Sequence, residues 1–88
     1  MTQYLDKVTL YVNTIEFEGR KAVINSYSKE FPILYSRRDA QREYWAAMYP
    51  NATVRTEEMT RADCVRLFSD NLPPLRSLAH EIGEASRG

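Results

Sequence analysis

His80 and Cys64 are the only histidine and the only cysteine in the 88 residues, so they bound the chemistry on offer. A structural zinc site takes four ligands drawn mainly from these two types, so no metal is expected within one chain. Ser77, His80 and Glu81 stand together, with Ser77 and His80 at i, i+3 of a helix. A serine nucleophile also needs an oxyanion donor and a third group to orient the base, and nothing in the sequence supplies them. The trio reads as an exposed polar face. Cys64 follows a helix start, where a thiol pKa can fall, but it lies on the apolar side of that helix. It reads as buried and inert. The three glycines, Gly19, Gly83 and Gly88, are too scattered for a phosphate loop or a dinucleotide turn. Glu16 and Glu18 are two apart on a strand and share the face opposite Phe17, an acidic patch for a basic partner surface. Together these readings predict a protein that is not an enzyme and uses no cofactor.

The constellation best suited to recognition is Arg38, Arg42, Trp45 and Tyr49 on one helix. A tryptophan flanked by arginines can anchor in a protein groove or stack on a base beside a phosphate; the equal alternative is that Trp45 packs against the sheet and its arginine neighbours are solvated. Tyr11, on the polar face of the first strand, joins this set as a partner-binding candidate with Glu16 and Glu18. For nucleic acid the alternative set is Arg37, Arg38, Arg42 and Arg55.

Composition narrows the partner. Nine of the twelve cations are arginine, beside six tyrosines and the single tryptophan. Arg, Tyr and Trp are enriched at protein interfaces, and the planar guanidinium also suits phosphates and base edges. The formal net charge is zero. That weakens both a general polyanion binder, which would be basic, and a whole-protein mimic of DNA, which would be acidic. A lone thiol fits a reducing cytoplasm, and the N-terminus lacks the apolar run of a signal peptide. No stretch reaches the length of a membrane span.

The elements that must position these residues follow from periodicity. Val8, Leu10 and Val12 alternate with polar residues, then Ile15 and Phe17 continue in the opposite phase. The slip at Asn13-Thr14 predicts a bulge, or a strand that turns its faces there. Glu18-Gly19 closes a hairpin onto residues 21–27, and Phe31 to Tyr35 reads as a third, edge strand because of Pro32. Ser36-Arg37-Arg38-Asp39 and Thr60-Arg61-Ala62-Asp63 each place a hydroxyl three residues before a carboxylate, the form of a capping box. The first predicts a helix from Ser36 to about Tyr49. On its wheel Ala40, Tyr44, Ala47 and Met48 form the core face, Trp45 sits at the edge, and Arg38, Arg42 and Tyr49 point to solvent. Residues 53–56 read as a short strand. The Thr60 box predicts a helix to about Ser69 with Cys64, Val65 and Phe68 inward. Leu75, Leu78, Ala79 and Ile82 give a third helix after Pro73-Pro74.

The expected fold is α+β: an antiparallel sheet of three to four strands against a helix, with two further C-terminal helices. One domain spans residues 1–88, with the sheet and first helix in about 6–56 and a helical part in about 60–86. Strands entering Ser36-Arg37-Arg38-Asp39-Ala40 and then Tyr44-Trp45 resemble small strand-strand-strand-helix modules over roughly residues 6–49. Such modules include the arm-type DNA-binding domains of phage integrases and small phage inhibitors of bacterial defence, some of them anti-CRISPR proteins. The resemblance carries no functional residue across. It implies a phage or mobile-element inhibitor that occludes a surface of a host complex, in the host cytoplasm. The alternatives are a nucleic-acid-binding accessory domain and a homo-oligomeric subunit such as a homodimer.

Overall fold

The computed structural model describes residues 8–70 and 75–87. Three strands form one antiparallel sheet: β1 (Thr9–Phe17), β2 (Arg20–Ser28) and β3 (Thr53–Thr60), in the order β2-β1-β3. The helices are α1 (Tyr35–Met48), α2 (Arg61–Asp70) and α3 (Leu75–Arg87).

β1 and β2 are joined by a two-residue turn with Glu18 at φ 50° and Gly19 at φ 80°. Positive φ at both positions is the mirror-image turn whose twist matches the hairpin strands. Glycine adopts it freely; Glu18 does so at a conformational cost. Glu18 therefore leaves the strand, and Glu16 and Glu18 do not share a strand face as the sequence spacing suggests.

β1 is central and covered on both sides, so Val12, Asn13, Thr14 and Ile15 are all buried. That is why its alternation breaks. β1 runs in unbroken register with β3, from Thr9 opposite Thr60 to Glu16 opposite Thr53. Against β2 the register moves from Asn13 opposite Asn25 to Thr14 opposite Val23, so the extra residue, Ile24, belongs to β2. The bulge predicted from β1 lies in its partner.

Residues 31–35 are not a strand. Pro32–Leu34 make a 3-10 turn, and the Phe31 and Pro32 carbonyls accept from the amides of Leu34 and Tyr35. The chain runs straight from this turn into α1, which starts at Tyr35 with no side-chain cap bond. Ser36 is thus inside the helix rather than before it. At the second box the cap is made: the Asp63 amide donates to Thr60 Oγ1 at 3.2 Å.

One sheet face carries α1 and α3. Its apolar end joins Ile15 and Ala22 to Leu78 and Ile82 of α3, with Ile24, Val54, Trp45, Tyr49 and Leu75 packed around them. α3 is tied down by a bidentate Arg20–Glu81 pair, with both N···O distances 2.7 Å, and by Asn51 Nδ2 donating to the Ile82 carbonyl at 3.2 Å. α2 lies against β1 and β2 on the other face, where Val12 and Cys64 are buried.

The orientation of α1 overturns the wheel reading. Arg38, Gln41, Arg42, Trp45 and Tyr49 are half-buried toward the sheet, while Ala40, Tyr44, Ala47 and Met48 are exposed. The cause is the sheet itself, which presents Asn13, Asn25 and Thr56 to the helix and selects a polar face to meet them. On α2, Cys64 is inward, but Val65 and Phe68 are exposed, against expectation. Among the described residues no helix is long and apolar enough to cross a membrane.

Candidate functional site

Asn13 organises the interface between α1 and the sheet. Its Nδ2 donates to Asn25 Oδ1 at 2.8 Å and to the Arg38 carbonyl at 2.9 Å. Its Oδ1 accepts from Thr56 Oγ1 at 2.7 Å. Asn25 Nδ2 reaches Gln41 Oε1 at 3.2 Å, and Arg42 Nη1 donates to Thr56 Oγ1 at 3.0 Å. Every buried side-chain polar atom among the described residues has a partner. A fully satisfied network of this kind fixes one packing geometry, because any other leaves a buried amide unpaired. Asn25, Gln41 and Thr56 do not stand out in the sequence, and Arg38 and Arg42 do so only as outward-facing arginines. The phase slip at Asn13 was the one available signal.

Above this network Arg38 is clasped by aromatic rings. Its guanidinium lies 4.6 Å from the Tyr11 ring centre and 4.4 Å from that of Tyr35. The two rings meet edge to face at 5.3 Å. Arg38 Nε also donates to Asp39 at 2.9 Å, and that bond holds the Asp39 carboxyl below its ordinary pKa. Arg38 and Tyr11 are therefore one cluster. Arg42 is shared between Thr56 and Asp39, the latter at 3.2 Å. Neither arginine projects outward as a hot-spot anchor would.

Trp45 stacks on Tyr49, with ring centres 5.5 Å apart and planes at 29°, and meets the edge of Tyr44 at 6.5 Å. Trp45 and Tyr49 face α3 across an open cleft of about 430 Å³, whose far wall is Leu75, Arg76, Ala79 and His80. Trp45 thus lines a groove of this chain instead of standing out to fill someone else's.

The four arginines of the nucleic-acid set do not share a surface. Arg55 pairs in register with Thr14, placing it on the face opposite Asn13 and α1. It also lies 3.4 Å from Glu16 and 3.8 Å from Glu57. Arg37 is exposed on α1.

The hydrolase-like trio does not assemble. Glu81 is engaged by Arg20, which holds its carboxyl below the ordinary range, and His80 Nε2 faces Glu84 at 3.9 Å. Burial pushes the Cys64 thiol up, away from reactivity. Burial also opposes the charge of Glu57, but bonds from Lys21 and Thr14 outweigh it and keep that carboxyl low. No group of three metal-ligating side chains is present among the described residues.

Comparison with protein-family models, with curated proteins and with solved structures gives no match.

Proposed function

We propose that this chain is a non-catalytic protein-binding module that occupies a surface of a larger assembly, in the manner of a phage-encoded inhibitor. One observation carries the reading. α1 turns its apolar arc away from its own sheet: Tyr44 is 57% exposed and Met48 53%, flanked by exposed Ala40 and Ala47. Large side chains left outward along one helical stripe are what a helix in a partner's groove presents. Phe31 and Ile33, just before the helix, are exposed too.

Support for a nucleic-acid reading is thinner. Arg38, Arg42 and Arg55 each sit beside a carboxylate, and Arg55 is on the far side of the sheet. Phosphate contacts draw on cations whose counterions are free to be released. Self-association is the second reading, since the same stripe serves a second copy equally well.

The test compares wild type with the double variant Tyr44→Ser, Met48→Ser. Each is immobilised in bacterial lysate, and captured proteins are identified by mass spectrometry. A protein held by wild type and lost by the variant supports the stripe as the interface. Identical capture by both removes it. Sedimentation mass separates the second copy: a wild-type dimer that becomes a monomer in the variant assigns the stripe to self-association.

A further inference from the structure

We infer that the cleft between α1 and α3 binds a small planar aromatic anion of the nucleoside monophosphate class. The site is distinct from the Tyr44–Met48 stripe and does not depend on it. One wall is a stacked indole and phenol, Trp45 on Tyr49 at 5.5 Å. Both rings are half-buried, and the part of them that lines the cleft is apolar surface on which a base of any identity can stack. The opposite wall carries Arg76 and His80, four apart on α3 and so on one side of it. On the same wall Ala79 presents only a methyl group, which leaves room in the cleft.

The volume, about 430 Å³, falls within the range of small-molecule sites. Among the described residues no carboxylate lines the cleft, so the Arg76 guanidinium favours a negative ligand. Glu84 lies 3.9 Å from His80 on the same helix. A phosphate held by Arg76 places acceptor oxygens on the His80 side of the cleft, where an imidazole N–H can donate to them. A ring lying along Trp45 completes the fit, with the anion fixing its direction. Arg76 is the main determinant because its guanidinium stays charged and binds phosphate oxygens in a fork.

Trp45 is the only tryptophan, so the protein has one indole N–H resonance, and it reports from the cleft wall. The experiment titrates the full chain with the four nucleoside 5′-monophosphates and with the matching nucleosides, following that resonance. Saturable shifts are expected with at least one monophosphate, and binding about tenfold weaker for its nucleoside. Arg76→Ala should weaken the monophosphate by about tenfold. Ala79→Leu fills the gap and should abolish the shift while amide dispersion stays native. No saturable shift with any monophosphate up to about 10 mM overturns the assignment. So does equal binding of nucleoside and monophosphate, or wild-type affinity in folded Arg76→Ala. None of these failures touches the protein-binding reading, whose test uses the other side of α1.

Discussion

The two ends of one sheet face hold α-helices by opposite means. At one end Ile15 and Ala22 meet Leu78 and Ile82 in an apolar contact with α3. At the other, only two residues along β1, Asn13 meets Asn25, Thr56 and the α1 backbone through directed hydrogen bonds. Apolar burial is strong but indifferent to exact rotation, since any apolar side of a helix satisfies it. A buried amide is selective, because only the rotation that pairs it escapes the cost of leaving it unsatisfied. α3 is therefore placed by its own stripe, with Arg20 and Asn51 fastening it, and the rotation of α1 is chosen by the sheet's polar spots, with Trp45 and Tyr49 completing the apolar end. The same selectivity leaves the apolar stripe of α1 facing solvent.

The largest loss is expected where the apolar end is cut. Ile15 and Ile82 are fully buried, and either one replaced by alanine should cost about 4 kcal/mol, measured by chemical denaturation. For a domain of this size that is a large share of its stability, so the denaturation midpoint should fall steeply. If Ile82→Ala retained native stability, α3 would not be part of the core.

Asn13→Ala should come next, at about 3 kcal/mol, because it strands the polar groups of Asn25 and Thr56 at the interface. The distinguishing readout is the helix: contacts of α1 should loosen while those of α3 persist, seen by amide exchange. Uniform loss of protection across both helices would mean that the two ends are one cooperative unit and the comparison fails.

A smaller effect separates Asn13 from its neighbour Thr14, which faces the other side of the sheet. Thr14 Oγ1 donates to Glu57 Oε2 at 2.8 Å, a carboxylate that titrates in acid, whereas Asn13 bonds to Asn25, Thr56 and the Arg38 carbonyl, none of which does. The carboxyls of Glu57, Asp39 and Glu81 are all held below their ordinary pKa by cationic neighbours. A depressed folded-state pKa adds stability above the unfolded value, and that stability is lost as pH falls through the folded one. The melting temperature should therefore decline in the acid range, below the ordinary carboxylate pKa, and be flat above it. Glu57→Gln should lower the plateau and shallow the decline. An unchanged pH profile in that variant would mean that the Lys21 and Thr14 bonds add nothing.

What the sequence disclosed follows the same division. The Thr60 cap and the Leu75-Leu78-Ala79-Ile82 spacing are local signals, and local geometry alone decides them, so both were legible. The orientation of α1 depends on Asn13 meeting a helix 25 positions away and Thr56 43 positions away, which no wheel drawn on α1 contains. The Ser36 box failed for a nearer reason. Pro32 started a 3-10 turn that runs straight into the helix, its carbonyl taking up the Tyr35 amide, so Ser36 lies inside the first turn rather than before it. At the candidate sites, the residue types singled out were informative and their directions were not. Arg38 and Trp45 were noticed for bulk and charge, yet the long-range packing turned both inward and brought Arg76 and His80 opposite Trp45.

The smallest effect on stability should come from the side of α1 that its own fold does not use. Tyr44 and Met48 make up the arc that a hydropathy wheel assigns to the core, so a wheel predicts that Tyr44→Ser with Met48→Ser unfolds the domain. The observed orientation predicts a change within about 0.5 kcal/mol each, because exposed positions away from caps and cores are near neutral. Tyr44 adds only an edge contact to Trp45 at 6.5 Å. Denaturation of the double variant therefore decides between the two rotations of the helix without any partner in hand. A loss comparable to Ile82→Ala would put the arc in the core. A native midpoint leaves two large apolar side chains with no role in folding, which is the condition under which a binding role for them is worth testing.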